Sequence, residues 1–61
     1  MKIYQAAQII QQIFEQELVF IQYEDGSENK FIYRFKGQAG NNYINIKNLE
    51  PSKVAKILNK M

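Results

Sequence analysis

Asn29-Lys30-Phe31-Ile32-Tyr33-Arg34-Phe35-Lys36 alternates with a period of two. Successive side chains of a strand point to opposite faces, so Phe31, Tyr33 and Phe35 share one side and Lys30, Ile32, Arg34 and Lys36 the other. An aromatic row of this kind predicts a strand buried on that row. The chain has 61 residues, and a domain of that size buries only about 60% of the surface it exposes when unfolded. It needs large rings at its centre, which makes this row core and not a platform for stacking bases.

The flanking segments complete a sheet. Glu17-Leu18-Val19-Phe20-Ile21-Gln22-Tyr23-Glu24 is rich in β-branched and aromatic residues and runs into Asp25-Gly26, a strong hairpin signal because Gly accepts the positive φ of a tight turn. A two- or four-residue loop would bring Val19, Ile21 and Tyr23 to the side of Ile32; one residue more or fewer would reverse the strand. Gly37-Gln38-Ala39-Gly40-Asn41 reads as a turn. A third strand is expected over Asn42-Tyr43-Ile44-Asn45-Ile46-Lys47, with Ile44 and Ile46 facing the core and Tyr43, Asn45 and Lys47 facing away.

Helical periods bracket this sheet. At 100° per residue, Ile3, Ala6, Ala7, Ile9, Ile10, Ile13 and Phe14 fall within an arc of about 160°, predicting an amphipathic helix over residues 2–16. Its polar face is mostly Gln (Gln5, Gln8, Gln12 and Gln16), a solvated face in the ordinary case. Near the end, Glu50-Pro51 reads as a helix start, since Pro suits the first turn and an acid complements the positive end of the dipole. Val54, Ile57, Leu58 and Met61 then recur at helical spacing, with Lys53, Lys56 and Lys60 elsewhere on the cylinder. The expected architecture is one α+β domain, residues 1–61, ordered α-β-β-β-α. A three-stranded antiparallel meander carries two helices packed on one face.

That element order is similar to the order in double-stranded-RNA-binding domains and in small HicA-type toxins. Leu49-Glu50-Pro51 ahead of Ile57-Leu58 loosely resembles the toxins' C-terminal helix. The catalytic His of that family has no counterpart in a chain with no His, so the resemblance does not imply RNA cleavage, and likeness of fold does not transmit function.

The inventory of side chains excludes most chemistry. There is no Cys and no His, which removes disulfides, thiolate metal sites, the commonest general base and the commonest metal ligand. Glu24, Asp25 and Glu28 crowd a turn where solvation is the default, without the alternating acids of a calcium loop. Gly37 and Gly40 join two strands and open no helix, so they form no phosphate-binding loop. The expectation is no enzyme, no cofactor and no metal. No stretch approaches the ~20 apolar residues of a membrane span, and the start shows no secretory signal. A cytoplasmic protein without membrane contacts is therefore expected.

Charge is divided along the chain. In residues 1–28, Lys2 stands against Glu15, Glu17, Glu24, Asp25 and Glu28; in residues 29–61, Lys30, Arg34, Lys36, Lys47, Lys53, Lys56 and Lys60 stand against Glu50. The halves can neutralise each other by packing, or the asymmetry can mark an interaction face. Nine Ile against three Leu, and seven Lys against one Arg, point to AT-rich coding, in an AT-rich genome or a mobile element.

With no reactive group available, contact is the remaining mode of action. The sheet side away from the helices is expected to carry the partner-binding residues Lys30, Ile32, Arg34, Lys36, Tyr43, Asn45 and Lys47, beside Val19, Ile21 and Tyr23. An apolar strip rimmed by cations marks protein contacts. The first expectation is thus a non-enzymatic binding protein with a protein partner, such as a phage or mobile-element inhibitor of a host defence complex of the anti-CRISPR type. The alternative is an RNA- or DNA-binding domain whose Lys and Arg neutralise phosphate while Tyr23 or Tyr43 stacks on bases. One Arg and a net charge of +2 make that alternative the poorer. A homodimer through an open sheet edge is the third.

Overall fold

The aromatic row lies where its alternation predicts, on the middle strand. The computed structural model describes residues 1–61 and contains a helix α1 (Ile3–Phe14), strands β1 (Leu18–Tyr23), β2 (Lys30–Phe35) and β3 (Asn42–Asn45), a 3-10 turn (Ile46–Asn48) and a helix α2 (Pro51–Asn59). The sheet is antiparallel in the order β1-β2-β3. Phe31, Tyr33 and Phe35 are all buried. They cluster with Ala6 and Ile10 of α1 and with Ile46, and Met1, Ile3, Leu18, Ile21, Ile44 and Leu49 pack around them. Phe14 closes one end, its ring 6.4 Å from Tyr33 and 5.9 Å from Phe35. α2 packs on α1, with Ile57 as its one buried side chain.

The first strand turns over relative to the expectation. Tyr23 pairs with Phe31, Ile21 with Tyr33 and Gln22 with Ile32, so Ile21 and Tyr23 face the helices and do not join Ile32. The Asp-Gly turn forms as predicted: Asp25 and Gly26 have φ of 50° and 71°, and Ser27 N–H donates to Glu24 C=O at 2.9 Å, as in a type I′ turn. It does not close the ladder, however. Glu24 N–H bonds Lys30 C=O, leaving residues 25–29 as an odd-numbered loop. An odd loop swaps the faces relative to the even loops considered above. A β-bulge between Leu18 and Phe20 then adds one residue, so Leu18 also faces the core while Val19 is 54% exposed.

The third strand is shorter than its alternation suggests. Asn45 Oδ1 accepts the Lys47 N–H at 3.0 Å and so starts the 3-10 turn two residues early. Ile46 still reaches the core, but Lys47 leaves the strand.

Helix α1 also stops early, at Phe14. Glu15 takes a left-handed conformation (φ 52°, ψ 44°), and the N–H of Gln16 returns to Gln11 C=O, the geometry that usually carries Gly. Replacing Glu15 by Gly relieves the Cβ clash but frees the unfolded chain. We expect a net gain of about 0.5–1 kcal/mol, seen as a rise in Tm of roughly 2–8 °C. An unchanged or lower Tm would show that the helix does not end this way.

Burial pushes the Tyr33 hydroxyl above the usual tyrosine pKa. The folded state therefore holds this proton more tightly than the unfolded state, so its contribution to stability is complete below about pH 10 and declines as pH rises beyond it. Denaturation curves from pH 8 to 11.5 should show that decline, and Tyr33→Phe should flatten it. A variant falling as steeply as the parent would place the alkaline sensitivity elsewhere.

Candidate binding face of the sheet

Because α1 takes the Phe31-Tyr33-Phe35 side, the other side of β2 is left without a helical cover. Strand pairing arranges it in rows. Gln22, Ile32 and Tyr43 lie across the middle; Phe20 and Arg34 form the row on one side, and Lys30 and Asn45 the row on the other. Ile32 and Phe20 are half-buried, whereas Tyr43 is 64% exposed.

Local contacts hold the cationic part in place. The Arg34 guanidinium lies over the Phe20 ring, 5.3 Å from its centroid, and its Nη1 donates to Asn41 Oδ1 at 3.0 Å. Stacking on a ring is worth about 0.5–1 kcal/mol at an exposed site. Its larger consequence is orientation, since the remaining N–H groups of a five-donor fork are presented at low entropy cost. Lys36 follows β2, with its N–H on Glu17 C=O and its Nζ 3.8 Å from the Glu17 carboxylate. That pair is exposed and contributes little to stability.

Of the residues expected to bind a partner, Lys30, Ile32, Arg34, Tyr43 and Asn45 come together on this face, and Lys36 extends the β2 row beyond the strand. Asn45 has a structural duty in addition, capping the 3-10 turn. Lys47 is not brought to the face. It lines an apolar crevice with Leu49, Val54 and Leu58, because the strand ends before it. Val19 stands on the bulge, and Ile21 and Tyr23 face the helices. Phe20 and Gln22 take their places, two residues the sequence pattern did not single out. The unbroken apolar run Leu18-Val19-Phe20-Ile21 contains no alternation that could have identified them.

The arrangement suits contact with a broad surface. Only a shallow hollow of about 320 Å³, beside Lys30, Tyr43 and Asn45, indents this part of the molecule, and it sits at the β3 border and not over Ile32. No group of three or more acidic side chains is placed to hold a metal ion. No helix is long and apolar enough to cross a membrane. No family model, curated protein or solved structure matches the chain, so the likeness of element order to RNA-binding domains and toxins has no matching structure beside it.

Proposed function

We propose that the chain is a small non-enzymatic binding protein that acts by laying the outer side of its sheet on another protein. One observation supports this reading above others: the apolar groups Phe20 and Ile32 are only half-buried on a side that α1 leaves bare, with Tyr43 beside them and Arg34 fixed at their margin. Aromatics and Arg are the residue types that most often anchor interfaces, and a charged rim around an apolar centre is the usual anatomy. A cytoplasmic inhibitor of a host defence complex, encoded by a phage or mobile element, is the narrower form of the proposal. It rests on size and coding bias.

The basic row Lys30-Arg34-Lys36 favours a second reading, contact with nucleic-acid phosphate. Salt separates the two. Phosphate binding falls steeply between 50 and 200 mM salt; a largely apolar protein contact does not. We expect the protein complex, recovered by affinity capture and measured by calorimetry, to survive 200 mM salt and to lose roughly ten-fold or more in affinity with Tyr43→Ala. Tyr43 is exposed, so its replacement should leave the fold within about 0.5 kcal/mol. If DNA or RNA is retarded at low salt, and the charge reversals Lys30→Glu, Arg34→Glu and Lys36→Glu together abolish that retardation, the nucleic-acid reading replaces the first.

A further inference from the structure

The free edge of β1 is a second surface, distinct from the outer side of the sheet. β1 pairs only with β2, and the direction of its backbone groups follows from the ladder. Glu24 N–H bonds Lys30 C=O, so Gln22 and Phe20 point their N–H and C=O groups at β2. Ile21 and Tyr23, between and beyond them, point theirs outward. Beyond the bulge the parity reverses: Lys36 N–H bonds Glu17 C=O, so the Leu18 N–H points outward, and there the protein satisfies it: Gln11 Oε1 accepts it at 3.0 Å. Together with the bulge at Val19, this blunts the first half of the edge. Ile21 and Tyr23 have no equivalent partner.

Natural sheets usually guard such an edge with Lys, Pro or an inward-pointing charge. Leu-Val-Phe-Ile-Gln-Tyr, residues 18–23, has none of these. Its flanks carry one sign only: residues 15–28 include Glu15, Glu17, Glu24, Asp25 and Glu28 and no Lys or Arg. The cations nearest in pairing, Lys30 and Lys36, belong to β2, on the far side of β1 from an incoming strand; Lys36 reaches back to Glu17 in an exposed pair at 3.8 Å, and Glu15 keeps that end of β1 net negative. At the hairpin end Lys30 and the α-amino group of Met1, which donates to Glu28 C=O, stand against the three acids Glu24, Asp25 and Glu28.

From this edge and its charge we infer that β1 accepts an extended segment of a protein partner as a fourth strand, and that the segment carries Lys or Arg at both ends. The outward N–H and C=O groups of Ile21 and Tyr23 supply the main-chain bonds, as in strand addition generally, and the flanking carboxylates select the partner's charge. A second copy of this chain fits the edge less well. Two β1 strands paired antiparallel about a two-fold axis would bring the Glu17 end of one against the Glu24 end of the other, and like charges directly opposed are destabilising.

The test uses the full chain, labelled with ¹⁵N and titrated with a synthetic peptide of alternating Val and Thr that begins and ends in Lys. The Ile21 and Tyr23 amides should shift most and exchange with solvent at least about ten-fold more slowly once the peptide is bound. A peptide with Glu at both ends should bind roughly ten-fold more weakly. N-methylation of the Ile21 nitrogen, introduced by chemical synthesis, removes an outward donor and no β1–β2 bond; it should weaken binding by roughly ten-fold while the Gln22 amide stays protected. The inference is overturned by equal binding of the two peptides, by shifts centred on β3, by indifference to N-methylation, or by no binding at millimolar peptide. A concentration-dependent dimer that protects Ile21 and Tyr23 without peptide also overturns it, in favour of a second copy. Tyr43→Ala should leave peptide binding unchanged, so failure at the edge and failure at the outer side are distinguishable.

Discussion

Phe31→Ala is expected to remove about half or more of the protein's stability at 25 °C. Phe31 is fully buried and among the largest side chains with no exposure; it lies on the central strand, with its ring 5.1 Å from Tyr23. Truncating a buried Phe costs about 3–5 kcal/mol, from lost transfer energy and from the cavity left behind. A chain of 61 residues has a total stability of roughly 3–9 kcal/mol at typical values per residue. The loss is therefore comparable with the whole. Far-UV circular dichroism and urea titration would show a lost or greatly shifted transition. Phe31→Leu, which keeps much of the volume, should still fold. Val19→Ala, on the exposed bulge, should cost no more than about 0.5 kcal/mol. A Phe31→Ala variant that unfolds cooperatively within 1 kcal/mol of the parent would contradict a core centred on β2.

Ile32→Asp carries the largest expected effect on binding. Ile32 is at the middle of the outer side, opposite Gln22 on one neighbour and Tyr43 on the other. An Asp there would have to be desolvated beneath a partner shaped for an apolar group, while the nearby Arg34 is engaged with Phe20 and Asn41, and an interface centre of this kind typically loses more than about 2 kcal/mol. That corresponds to a roughly 30-fold weaker complex. Strand stability also falls, because Asp is a poor strand residue. Ile32→Thr therefore serves as the partner experiment: it keeps β-branching and should bind about five- to ten-fold more weakly with a nearly unchanged Tm. Calorimetry against the isolated partner, with thermal unfolding of each free variant, distinguishes loss of contact from loss of fold. If Ile32→Asp stays folded and retains full affinity, the outer side is not the contact surface.

Several parts of this structure are legible without coordinates. The 100° period of Ile3, Ala6, Ile9, Ile10 and Ile13 specifies a helix and its buried stripe. The alternation of Phe31, Tyr33 and Phe35 specifies a strand and its inner side. Asp25-Gly26 specifies a turn with positive φ, and Pro51 marks the first turn of the last helix. In each case a local pattern carries the information, because backbone geometry alone fixes the repeat. Half of the candidate binding side follows from the same alternation, since Lys30, Ile32 and Arg34 must lie opposite the aromatic row.

The other half depended on contacts distant in sequence. Leu18-Val19-Phe20-Ile21 is apolar at every position, so either parity of β1 satisfies the local pattern equally well. Which parity wins is a comparison between packing Leu18, Ile21 and Tyr23 on the helix side and packing Phe20 and Gln22 there, an energy that exists only once helix and sheet meet. The odd-numbered loop and the Val19 bulge are the backbone adjustments that let the larger set go inward. Lys47 was lost from the face for a smaller reason of the same type: one side-chain bond from Asn45 to the Lys47 N–H bends the chain after β3, while Ile46 keeps its place in the core. Amino-acid order determined the elements and the inner side of β2. Only the assembled tertiary structure decided which residues of β1 look outward, because a strand without alternation leaves its orientation to the layer it packs against.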